Sequence, residues 1–417
     1  MIRSFIVAAG AVLLCAAPAL AGPAGDTLKD ALYSGSLAEG RSKLEPLAAG
    51  GNTEAAFGVG MLKLAQAAEH FTQILYRHGF DFPDTSALGG TTPLTVPQNP
   101  NPEPFDYNGV RQMLNDLVAG LDDARVSFDA ASKSGDYVVE LNPLKMRLDA
   151  NGDGKVDEGE SFATLFARWS NVSTQDLLAP PVPGGPPKFE AIGFDRADAY
   201  WLAGYTEVLA AQADFLLAHD FSSFVNSTFH RFFSRAGFPM QPYAKGNGTL
   251  ILGPDADNGI ADAIAAVHTI SWPVTDAARL AGVRERLKAV LAYSRQDWDA
   301  ILAETDDNHE LLPSPKQTAM IPGSSVTDEK VAAWRATLDE ADKILDGTLL
   351  VPHWRFTKGF DLRAYFETAK RTDLVMLLTG FDALPYLKDG PIAVAADFQA
   401  IQTAFGSDWL GYAFWFN

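Results

Sequence analysis

The chain reads as mainly α: an irregular helical domain with proline-rich surface loops. Three observations carry that reading. Apolar residues recur at helical spacing over several long stretches, cap-forming side chains stand ahead of some of them, and strand-like alternation is scarce.

Taken in order, residues 1–21 read as an export signal. Arg3 is the positive flank, Phe5 to Ala17 the apolar stretch, and Ala19-Leu20-Ala21 a small-x-small cleavage site ahead of Gly22. The apolar stretch falls short of the roughly 20 residues a membrane span needs, and no stop-transfer segment follows, so no integral membrane span is expected. Residues 22–80 read as a helical hairpin. Within them, the segment from Leu44 to Leu62 resembles a Sel1-like or tetratricopeptide helix pair, in which small residues such as Ala55, Ala56, Gly58 and Gly60 allow close packing. The resemblance covers about one and a half repeats, fewer than the three a solenoid needs, and implies a hairpin docked on the main body.

Residues 81–105 form a proline-rich connector, and Pro97-Gln-Asn-Pro-Asn-Pro-Glu-Pro104 favours an extended path. The next unit, 106–180, opens with a helix from Tyr107 to Ala131. Its expected buried face is Val110, Met113, Leu114, Leu117 and Leu121. A Pro/Gly spacer at 181–190, continuous with Ala179-Pro180, leads to a C-terminal helical region at 191–417 that packs with the rest as one domain. Helices are expected over Ala197–Leu217, over Asp276–Glu304 with a stripe of Leu280, Val283, Leu287, Val290 and Leu291, and from the N-cap Thr327 through Leu345. Thr249 to Leu252 is a short strand-like run, and Tyr412-Ala-Phe-Trp-Phe416 reads as a buried aromatic tail.

Composition narrows the function classes. The net charge of -19 repels phosphate backbones and anionic lipid, which argues against nucleic-acid and membrane-surface partners. Cys15 is the sole cysteine and lies in the export signal. The mature chain would then lack disulfides, zinc–thiolate sites, iron–sulfur clusters and cysteine catalysis.

One segment carries a specific chemistry. Asp149-Ala-Asn-Gly-Asp-Gly-Lys-Val-Asp-Glu-Gly-Glu160 resembles the twelve-residue EF-hand calcium loop at every diagnostic position. The resemblance implies oxygen ligands from Asp149, Asn151 and Asp153, a carbonyl from Lys155, a direct or water-mediated ligand at Asp157, and a bidentate Glu160. Gly154 would make the sharp turn. After Glu160, the residues Phe162, Leu165, Phe166 and Trp169 form the apolar face of an exit helix. On the entering side, Asn142 as N-cap and Pro143 predict a short helix through Leu148. EF-hands usually pair through position 8, here Val156; with no second loop in the sequence, Val156 must pack on its own domain or on another copy. Asp157 at position 9 is also similar to lanthanide-binding EF-hands of exported bacterial proteins, which usually carry Pro where this loop has Ala150.

A second polar constellation is Glu304-Thr-Asp-Asp-Asn-His-Glu310. Its acids follow a helix C-terminus, where they oppose the dipole, so a cation or basic group should compensate. Asp306, Asp307, His309 and Glu310 are expected to line a cleft with His353 and Arg355, which flank Trp354; that trio reads as a partly buried Trp with polar neighbours or as a grip on an anionic ligand. His219, His230 and His268 read as core or cap residues, and His70 and His78 lack ligand spacing. Zinc-protease, nucleophile-elbow and phosphate-loop motifs are missing from the sequence.

As a whole, the chain resembles a class of exported, helical bacterial proteins, on the Asn-Pro-Asn-Pro-Glu-Pro spacer, the Asp149–Glu160 loop and the Glu-Thr-Asp-Asp-x-His-Glu segment. The resemblance implies export and calcium binding and assigns no activity. Three functions stay open: a periplasmic or secreted protein whose structural calcium supports a scaffold for a protein or small-molecule partner; a metal-dependent hydrolase using 304–310; and metal buffering or lanthanide binding. Intact-mass measurement on secreted material should find a thiol-free form beginning at Gly22; a retained Cys15 would overturn the export reading.

Overall fold

The helices begin where the sequence offers an oxygen to cap them. The structure, a computed structural model, describes residues 22–81, 98–164, 191–243, 259–307, 310–318, 325–406 and 416. The fold is mainly α. Outside the described residues lie the export signal, most of the 81–105 connector, the Pro/Gly spacer, Thr249–Leu252, Leu165, Phe166, Trp169, His309 and Tyr412 to Trp415.

Where the sequence suggests one hairpin, three helices follow one another: α1 (Pro23–Ser34), α2 (Leu37–Ala49) and α3 (Thr53–Arg77). Asn52 caps α3 by accepting from Ala55 N at 2.8 Å. A Cβ on Gly58 would stand 2.6 Å from the Leu44 side chain, and one on Gly60 2.7 Å from the Phe128 ring. Bare backbone at these two positions lets α3 approach α2 on one side and α4 (Tyr107–Ala131) on the other. Asp106 caps α4 through Gly109 N. Of its expected face, Val110, Met113 and Leu121 are buried; Leu114 and Leu117 are half-buried, while Val118 lies inside.

β1 (Val139–Leu141) pairs antiparallel with β2 (Ile192–Phe194), which feeds directly into α5 (Arg196–Leu217). Behind this ribbon Phe57 meets Phe128, Tyr137 and Phe194 with ring centroids 5.7 to 6.1 Å apart. Next come α6 (Ser222–Thr228), α7 (Gly259–Thr269) and α8 (Ala277–Ala303), the last capped by Asp276 through Arg279 N at 2.9 Å. Then α9 (Asp328–Leu345) starts at Thr327, whose side chain accepts from Lys330 N at 3.3 Å as its N-cap role requires. The short helices α10 (Leu362–Thr368), α11 (Leu374–Thr379) and α12 (Gln399–Phe405) follow among the described residues. The buried tail is represented by Phe416, which is fully buried against Trp298, Trp334 and Phe405; its carbonyl accepts from Trp298 Nε1 at 3.0 Å. Among the described residues no helix is long and apolar enough to cross a membrane.

α4, α5 and α8 pack side by side, and their shared seam is ionic. Arg286 of α8 donates to Asp214 at 2.7 Å, to Glu207 at 2.7 Å and to both oxygens of Asp122 at 2.8 Å. Its hydrogen bonds hold the Asp122 carboxyl below the usual range. Arg279 adds a bond to Asp214 at 2.7 Å and one to Asn115 of α4 at 2.8 Å. Glu207 and Asp214 are buried, so removing their shared guanidinium takes a charged hydrogen bond from each and leaves Arg125, 3.0 Å from Glu207, and Arg279 as the remaining cations. Arg286→Leu should therefore cost about 1.5–3 kcal/mol in urea denaturation; a loss of less than about 1 kcal/mol, as exposed pairs give, would refute this.

Candidate metal centre

The Asp149–Glu160 loop is built from side-chain oxygens wrapped by its own backbone. Asp149 Oδ1 accepts from Gly152 N at 2.8 Å and Asp153 N at 3.2 Å, and its Oδ2 accepts from Gly154 N at 2.9 Å. Asn151 Oδ1 accepts from Asp153 N and Asp153 Oδ1 from Lys155 N, both at 2.8 Å. Asp157 Oδ1 takes Gly159 N at 2.7 Å. These bonds curl the chain tightly, and Gly152 and Gly154 absorb the curl with φ of 76° and 79°, where a side chain would be strained. Glu160 closes the loop: Oε1 accepts from Asn151 N and Oε2 from Asp157 N, each at 3.1 Å.

Neighbouring elements seat the loop. Asp149 N donates to Glu69 Oε2 at 2.9 Å, and Asp149 O accepts from Gln73 Nε2 at 2.8 Å, so two residues one turn apart on α3 grip its first position. Val156 lies against Gly35 at the end of α1, where any Cβ would stand 2.3 Å from a Val156 methyl. Position 8 thus packs on its own chain. Burial raises the Glu160 carboxyl, and the charges of Asp157 and Asp149 push the same way. Burial also raises Glu69, beside the charges of Asp149 and Glu160. The donor set is all oxygen, matching what a hard cation takes.

The entering flank departs from the expected helix, whereas on the exit side residues 162–164 are helical. Between Asn142 and Leu148 only Pro143–Lys145 turns, as a 3₁₀ segment. Met146 to Leu148 instead run extended against Glu160 to Phe162: Leu148 N donates to Glu160 O at 3.3 Å and Phe162 N to Met146 O at 2.9 Å. This pairing across the mouth uses the very amides a helix would have needed. Phe162, expected on an apolar face, is exposed.

The second constellation divides. Glu304, which follows the last turn of α8, and Glu310 meet Asp195, the N-cap of α5; one carboxylate oxygen of each lies within 4.8 Å of the others. Asp198 and Asp297 lie close by, 6 % and 1 % exposed. Gln317 Nε2 donates to Glu304 Oε2 and Asp306 O, both at 3.0 Å, while Asp307 accepts from Thr318 N and Oγ1. His353 and Arg355 engage another part of the fold. His353 Nε2 lies 3.0 Å from Leu377 O, and the Arg355 guanidinium sits 4.5 Å from the centre of the Trp354 ring. Trp354 is 74 % exposed rather than partly buried, with Nε1 bonded to Leu378 O. The expected partnership of His353 and Arg355 with the acids is thus replaced by contacts to α11 and its own turn. His219 is the core histidine the sequence suggests: it is fully buried between Phe215 O and Thr372 Oγ1, its pKa lowered by burial.

Asp195, Asp198 and Asp297 were not visible as site residues. Asp195 and Asp198 form a reciprocal cap on α5, and Asp297 is one acid among several on α8. No family model, curated protein or solved structure matches the chain.

Burial first, then the charge of Asp195, raise Glu304 from an ordinary 4.5 to about 9. Burial likewise raises Asp195, Asp198 and Asp297. A carboxyl raised in the folded state contributes stability that is complete below its unfolded pKa and lost as pH rises through the folded one. With a chelator present, the melting temperature should fall between about pH 5 and pH 9, and Glu304→Gln should flatten part of that slope. A melting temperature that climbs across this window contradicts the argument.

Proposed function

We propose that the chain is an exported calcium-binding protein whose ion is structural. The ion would close the Asp149–Glu160 loop and fix it against α1 and α3, giving a helical scaffold that presents its surface to a protein or small-molecule partner. The observation that carries this reading is the placement of Glu160. Its buried carboxylate spans the loop from Asn151 to Asp157 and faces the same negative charge as Asp149 and Glu69. That charge repels itself unless a cation enters, so ion binding and folding are coupled. Packing of Val156 on Gly35 supports a lone loop working within one chain.

Extracellular calcium modules bind with Kd of about 0.1–1 mM. Ligand at tenfold excess over Kd adds about 1.4 kcal/mol of stability. Calorimetry on the mature protein should therefore show saturable calcium binding in that range, with a rise in melting temperature. Glu160→Gln replaces a bidentate anion with a neutral amide and should weaken binding at the loop at least about tenfold. Titration heats that are the same for this variant and the parent would rule the loop out.

A further inference from the structure

We propose that Asp195, Glu304 and Glu310 hold a second hard cation of calcium size, which ties the start of α5 to the end of α8. The spacing suits such an ion. A calcium about 2.4 Å from each ligand allows ligand oxygens up to about 4.8 Å apart, and one oxygen from each of these residues lies within 4.8 Å of the others.

Helix capping explains only part of the cluster. Asp195 Oδ1 accepts from Ala197 N at 2.6 Å and Asp198 N at 3.4 Å, and Asp198 Oδ2 accepts from Asp195 N at 2.8 Å. That reciprocal cap occupies one oxygen of each residue. It does not involve Glu304 and Glu310, which come from the far end of α8 and the loop beyond; Glu304 is hydrogen-bonded to the Asp195 side chain and to Gln317 Nε2.

Asp297 is the independent sign. It is 1 % exposed, and its Oδ2 has no hydrogen-bond partner among the described residues. It lies on α8 seven residues, about two turns, before Glu304. The charge that acts on it is that of Asp195. A buried carboxyl without a hydrogen-bond partner is costly, and a cation held by Asp195 beside it would lower that cost through its charge. The Arg286 seam shows the contrast: there acids at similar depth gather around a guanidinium at 2.7–2.8 Å.

The ligand type selects the metal. Carboxylate oxygens suit calcium, magnesium or a trivalent lanthanide, whereas zinc and copper favour nitrogen and sulfur. Ligands drawn from three separate segments give the flexible, anionic cage that calcium tolerates better than magnesium.

The test is calcium stoichiometry on the mature full-length chain, by equilibrium dialysis and elemental analysis, with terbium luminescence as the second readout. The parent should bind two ions, Glu160→Gln one, Glu304→Gln one, and the double variant none. Glu304→Gln should raise Kd at the second site at least tenfold while leaving loop binding intact. Glu310→Gln supplies the same reading if Glu304→Gln misfolds by circular dichroism. A parent that binds one ion, lost with Glu160→Gln and kept with Glu304→Gln, overturns the proposal. One ion lost with Glu304→Gln and indifferent to Glu160→Gln supports it and overturns the loop reading instead.

Discussion

Acidic residues outnumber basic ones 52 to 33, and the fold must bury some of that surplus without leaving it unpaired. The seam around Arg286 is where this constraint is met most directly. α4, α5 and α8 can lie side by side because one guanidinium satisfies carboxylates from α4 and α5 at once. An Arg suits that place because its planar fork serves several acceptors and keeps its charge when buried. α5 is the shared wall: it packs on α4 and α8 and starts from the β1–β2 ribbon.

The same surplus takes a different form at the two ends of that ribbon. β1 leads through Pro143–Lys145 into the Asp149–Glu160 loop, and β2 leads straight into Asp195. At the loop the acids are turned inward by their own amides and backed by Glu69. At the start of α5 they converge from three segments, with Asp297 behind them. Cations bound at these places would do for the ribbon what Arg286 does for the seam. Stability would then depend on calcium supply, which suits the exported protein proposed above.

Much of the local structure was legible. The N-cap Thr327, the bounds of α4 and α5 to within a residue, and the close approach allowed by Gly58 and Gly60 all follow from short-range steric and hydrogen-bonding preferences. So did the order of the loop residues, because a twelve-residue turn is specified by its own side chains. The short helix expected before Leu148 failed because Met146–Leu148 found partners across the mouth of the loop, which a local reading does not see.

The sequence by itself determined where helices start, where acids and glycines stand in the loop, and how strongly the chain is charged, since these depend on neighbours a few residues apart. Only the tertiary structure decided that Glu69 and Gln73 reach Asp149, that Val156 rests on Gly35, and that Glu304 and Glu310 meet Asp195 while His353 and Arg355 turn to α11. Those pairings join residues up to 121 positions apart. They are fixed by which helices share an apolar face, and many sequences with the same local pattern could pack their helices otherwise.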